Sequence, residues 1–100
     1  MVIVDAQSVK NTDTAREKGY DGGKKISGVK RHIAVDTNGL LHGVEITTAN
    51  ITDRDGAITL TKRCKENLSD VEKVLVDGGY TGDKFARKIK KLIGATVEVV

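Results

Sequence analysis

Val74-Leu75-Val76-Asp77-Gly78-Gly79-Tyr80-Thr81-Gly82 is the stretch on which the fold turns. Three consecutive apolar residues, then an acid and a glycine-rich segment, read as a short strand with Asp77 at its C-terminal end. Val2-Ile3-Val4-Asp5 repeats the pattern at the start of the chain. Continuous rather than alternating apolar residues predict strands buried on both faces, as in a sheet covered by helices. Both are therefore expected in the centre of one sheet.

Between these strands, Arg31 to Asp36 alternates, with Ile33 and Val35 two apart, and Thr37-Asn38-Gly39 leads into Leu40 to Thr48. Asn-Gly between two strand-like segments predicts a β-hairpin with a type I′ turn, because both residues tolerate positive φ. Thr52-Asp53-Arg54-Asp55 then resembles a capping box, followed by Ala57, Leu60, Thr61, Cys64 and Leu68 at helical spacing. A helix from about Asp53 to Asn67 follows from that pattern. A second is predicted from Gly82-Asp83, with Phe85, Ile89, Leu92 and Ile93 on one stripe and Gly94 as its stop. Ala95 to Val100 is again β-branched and strand-like. The expected order is strand, long loop, hairpin, helix, strand, helix, strand. Lys10 to Gly28 is the one long segment without periodicity, and loops beyond about 12 to 15 residues are usually functional or disordered.

The 100 residues suit one α/β domain, and 38% hydrophobic content supports a core. With three aromatic residues, that core must be built from Val, Ile and Leu. No apolar run approaches the roughly 18 to 20 residues of a membrane span. The single Cys64 forms no internal disulfide, which fits a reducing, cytoplasmic setting. A net charge of +3 leans toward an anionic partner such as nucleic acid.

Asp5 and Asp77 are the leading chemical candidates. If their strands are parallel neighbours, the two carboxylates converge at one end of the sheet, where α/β proteins bind ligands. Paired carboxylates repel unless a cation lies between them, and hard oxygen donors suit Mg²⁺ or Mn²⁺. Capping of the following turns by both Asp side chains remains the plainer alternative. Lys10, Lys24, Lys25, Lys30 and Arg31 flank the long loop leading away from Asp5 and suit DNA phosphates, or simply a solvated loop. Arg87, Lys88 and Lys91 on the second helix read as an ordinary solvent face. Asp53 and Asp55 are explained by the helix N-terminus. His32 and His42 could face each other across the hairpin without making a zinc site, and Cys64 belongs to an apolar stripe. A phosphohydrolase with a nucleophilic Asp would need a second acid two residues after Asp5, where Gln7 stands.

Six separated motifs carry a resemblance: Asp5-Ala6-Gln7-Ser8-Val9-Lys10, Gly19-Tyr20-Asp21-Gly22-Gly23-Lys24-Lys25, Gly28-Val29-Lys30-Arg31-His32, Val35-Asp36-Thr37-Asn38-Gly39-Leu40, Thr48-Ala49-Asn50-Ile51-Thr52-Asp53-Arg54-Asp55-Gly56 and Val76-Asp77-Gly78-Gly79-Tyr80-Thr81-Gly82. In that order they resemble the catalytic domain of DDE transposases of bacterial insertion sequences, of the IS4/IS5 type. The resemblance implies an RNase H-like mixed sheet with helices packed on it. It implies Asp5 and Asp77 as the first two acids of a metal-binding triad, DNA as partner, and two-metal phosphoryl transfer in DNA cleavage and joining, with Asp5 bridging both ions. The third acid, a Glu on a helix after the fifth strand, has no counterpart, since Glu98 lies on the strand itself. Residues 1–100 are accordingly expected to be a partial catalytic domain, incomplete at the C-terminus and inactive alone. The rival expectation is a non-catalytic DNA-binding or regulatory remnant. A homo-oligomer is left open.

Overall fold

The computed structural model describes residues 1–10 and 28–100, and of Lys10 the backbone alone. Within them the order is β1 (Val2–Lys10), β2 (Gly28–Asp36), β3 (Leu41–Thr48), α1 (Asp53–Arg63), β4 (Lys73–Val76), a single 3₁₀ turn (Gly78–Tyr80), α2 (Asp83–Ile93) and β5 (Thr96–Val99). The strands form one mixed sheet in the order β3-β2-β1-β4-β5. β1, β2 and β3 run antiparallel as neighbours, whereas β1–β4 and β4–β5 are parallel. Among the described residues the predicted order of strands and helices is found, with β1 and β4 side by side; the predicted long loop from Lys10 to Gly28 lies outside them except for its two end residues, which belong to β1 and β2.

β1 differs from its prediction in length. It runs nine residues, through Asp5 to Lys10, paired with β2 along its whole course. Asp5 therefore sits within the strand rather than after it, because Ala6-Gln7-Ser8-Val9 finds a full partner in Val29–His32.

Two-sided burial is also corrected. Val2, Val4, Val74 and Val76 are buried, together with Leu60, Phe85 and Ile89 of the helices. Ile3 is 38% exposed, and Val9, Val44 and Ile46 are exposed as well. α1 packs across β1, β2 and β3, while α2 packs on α1 and β5. Both helices share one core with the same strand face, so the opposite face, bearing Ile3, Asp5, Gln7, Arg31 and Ile46, has no helix on it among the described residues. Among the described residues, the continuous apolar runs therefore serve a sheet covered on one side.

Local chemistry sets the element ends. Thr52 Oγ1 accepts the Asp55 N–H at 3.1 Å and caps α1, and Asp53 and Asp55 sit in its first turn, where the helix dipole favours acids. α1 stops at Arg63, four residues before its predicted end. Looser bonds from Leu68 N–H to the Cys64 and Lys65 carbonyls follow it and still bury Leu68. α2 ends where predicted, at Gly94 with φ 76°. The hairpin is present but its turn is not type I′. Gly39 alone has positive φ, at 86°, and Asp36 Oδ1 accepts the N–H groups of Asn38 and Leu40 at 2.9 Å each. That side-chain capping favours a type I turn closed by a left-handed glycine.

α1 lies unusually close to the sheet. A Cβ on Gly56 would stand 2.0 Å from the His32 ring, and one on Gly43 would stand 2.7 Å from Cys64 Sγ. Two glycines, one on each side of the contact, let helix and sheet approach.

Candidate functional site

The β1–β4 register pairs Val2 with Val74 and Ile3 with Leu75. Carried two residues further, it sets Asp5 beside Asp77, both exposed. Asp77 caps the turn that follows it, its Oδ1 accepting the Gly79 N–H at 2.8 Å. Gly79 earns its place there, since a Cβ would meet that oxygen at 3.2 Å. One Asp77 oxygen is thus oriented by the backbone. The capping reading of Asp77 is thus found, and it leaves the other Asp77 oxygen free of that turn.

Tyr80 ends the turn that Asp77 caps. Its ring is 1% exposed and packs on Phe85 with centroids 5.5 Å apart. Its hydroxyl has no hydrogen-bond partner among the described residues. Burial first, then the negative charges of Asp53, Asp5 and Asp77, raise its pKa above the ordinary phenol value. It is therefore a neutral phenol at any physiological pH, near three carboxylates.

The third of these carboxylates is already engaged. Lys30 Nζ donates to Asp53 Oδ1 at 2.9 Å and to the Ile51 carbonyl at 2.7 Å, tying β2 to the start of α1. Lys30 is only 19% exposed in its side chain, so the structure places this predicted phosphate ligand in an internal tie. Arg31 is placed differently. It is exposed, two strand positions from Asp5 along the open face, and its Nε and one terminal nitrogen donate to Gln7 Oε1 at 3.0 and 2.8 Å. A neutral amide fixes the guanidinium without cancelling its charge. Lys24 and Lys25 lie outside the described residues, and of Lys10 only the strand position is described.

Among the described residues, no group of three or more His, Cys, Asp or Glu side chains stands close enough to hold a metal ion. Glu98, on β5 opposite Leu75, pairs with Lys73 at 3.1 Å. The two histidines do not face each other. His32 is opposite Glu45, wholly buried beneath α1 with Nε2 2.8 Å from Thr47 Oγ1. His42 meets Asp36 Oδ2 at 2.9 Å and thereby lowers the Asp36 pKa. Cys64 packs against the core, as its place on the apolar stripe predicted.

Compared with protein-family models, residues 1–96 match the one described as Transposase DDE domain. The chain belongs to the transposase DDE domain family. No curated protein and no solved structure matches it. In this DDE domain Asp5 lies on β1 and Asp77 directly follows its parallel neighbour β4, while of the flanking basic residues Lys30 lies in an internal tie and Arg31 on the open face. Two features escaped the sequence reading. The Lys30–Asp53 tie joins residues 23 apart and leaves no local pattern. Tyr80 could have been found, because an aromatic residue three positions after a strand-end Asp must either cover the sheet or be exposed.

Proposed function

We propose that the chain is the RNase H-like catalytic portion of an insertion-sequence transposase of the IS4/IS5 type, acting on DNA by metal-dependent phosphoryl transfer. The single observation carrying this reading is the parallel β1–β4 pairing, whose register, continued two residues, brings Asp5 level with Asp77. The strand order with a β2–β3 hairpin beside β1 supports the fold assignment. The reading further implies a cytoplasmic protein.

The residues fit Mg²⁺ or Mn²⁺. Asp5 and Asp77 offer hard oxygens, both exposed to solvent, and Mg²⁺ takes one or two carboxylates with water and substrate phosphate completing its shell. A bound ion would supply Lewis-acid stabilisation of the reacting phosphate and an activated nucleophile. The chain's own contributions are distinct. The Gly79 N–H orients one Asp77 oxygen. Arg31, held by Gln7 on the same open face as Asp5, offers a fixed cation for a neighbouring DNA phosphate. Tyr80, buried against Phe85 nearby, adds no charge.

Among the described residues no third acid stands with this pair, and the reading expects weak metal binding and little strand transfer from the chain alone. The same observation equally supports the second reading, a DNA-binding or regulatory remnant. Calorimetric titration with Mn²⁺ separates the two. Wild type should bind, with Asp5→Ala and Asp77→Ala each abolishing the heat. Equal titrations for all three proteins would leave the remnant.

A further inference from the structure

A groove runs between α1 and α2 on the helical side of the molecule. It consists of two adjoining hollows of about 290 and 410 Å³ that share Ile58 and Lys88. Arg54 and Lys62 of α1 stand along one wall, and Lys84, Lys88 and Lys91 of α2 along the other. Asp55 is the one acid lining it. Among the described residues none of these five cations is ion-paired, unlike Lys30, Arg63 and Lys73. Sequence pattern alone made the α2 lysines a solvent face, because the contribution of α1 appears only once the helices pack.

The floor bears on what the groove takes. Phe85 is 4% exposed, and Ile58 and Leu92 are half-buried. The floor between the helices is apolar, and the two walls carry five cations against the single acid Asp55, a charge that suits a polyanion lying along the groove. The three α2 lysines lie within eight residues, seven rises or about 10 Å of helix. One strand of a duplex presents a phosphate about every 3.4 Å of axis, so the row matches about three consecutive phosphates.

We propose that the α1–α2 groove is a second DNA-backbone site, holding one strand of a duplex through Arg54, Lys62, Lys84, Lys88 and Lys91, separate from the Asp5–Asp77 face. The groove's charge specifies a polyanion by itself. Naming DNA rests on the transposase reading.

The test is fluorescence anisotropy of the whole chain on a labelled duplex of arbitrary sequence, titrated in EDTA at several KCl concentrations. Lys84→Gln/Lys88→Gln/Lys91→Gln should weaken binding at least tenfold at low salt. It should also flatten the slope of log affinity against log salt by about 2 to 3, near 0.9 for each phosphate released. Lys65→Gln, away from the groove, should leave both unchanged. Circular dichroism confirms folding, and if the triple variant unfolds, each single substitution should flatten the slope by about 0.9. An unchanged slope overturns the site, as does loss of binding to an acidic helical peptide with DNA binding intact. EDTA removes any metal, so the groove is read without an ion at the Asp5–Asp77 pair. A failed catalytic reading would thus leave the groove result standing, and a failed groove would leave the carboxylate pair.

Discussion

Gly56→Ala pits two known effects against each other. In an exposed helix interior, replacing Gly by Ala stabilises by about 1 kcal/mol. At position 56 the added methyl would stand 2.0 to 2.4 Å from three atoms of the His32 ring. Contacts that short require movement, yet His32 is fully buried and bonded to Thr47. Overpacking of this kind costs about 1 to 3 kcal/mol, and displacing a whole ring lies at the upper end. The net expectation is destabilisation of about 2 kcal/mol, or a urea midpoint about 1 M lower at a slope of about 2 kcal/mol/M. The decisive experiment is a double-mutant cycle by urea unfolding with His32→Ala. With the ring removed, Gly56→Ala should stabilise, and the sign reversal corresponds to a coupling of about 3 kcal/mol. Stabilisation by Gly56→Ala in the native background would refute the close packing of α1 on β2.

His32 also sets a pH dependence. Burial, chiefly, lowers its folded pKa below 6.5, so the unfolded chain takes up this proton first as pH falls. Stability should be level above about pH 6.5 and decline below it, until the folded protein also protonates. Urea midpoints from pH 8 to 5, compared with His32→Gln, should show that decline in wild type alone. Tyr80→Phe should be neutral or stabilise by up to about 1 kcal/mol, since it removes a buried hydroxyl without a partner; a thermal melt that drops by several degrees would show that the hydroxyl is satisfied. Lys30→Met should cost about 1 kcal/mol by freeing Asp53, which is 44% exposed and partly screened. Methionine keeps the stem, so urea unfolding isolates the ammonium.

Much of the fold was legible because its signals are local. Gly94 ends α2 through a backbone conformation, Thr52 caps α1 through its own side chain, and Asn38-Gly39 turns the hairpin. What was not legible depends on partners distant in sequence. β1 runs past Asp5 because β2 is there to pair with it, and Ile3 is exposed because both helices chose the other face. Gly43 and Gly56 read as ordinary glycines until Cys64 and His32 are placed against them. The site divides in the same way. Asp5 and Asp77 are singled out by a repeated strand-acid pattern, whereas the pairing of Lys30 with Asp53 at 2.9 Å has no local signal. The groove needed two helices before its charge became a row.

The central claim is that Asp5 and Asp77 together hold a divalent cation, and paramagnetic broadening of amide NMR signals by Mn²⁺ tests it most directly. Substoichiometric Mn²⁺ should first erase the signals of Asp5, Ala6, Asp77, Gly78 and Gly79, and Asp5→Asn/Asp77→Asn should restore them. Broadening centred elsewhere, or unchanged in that double variant, would contradict the account.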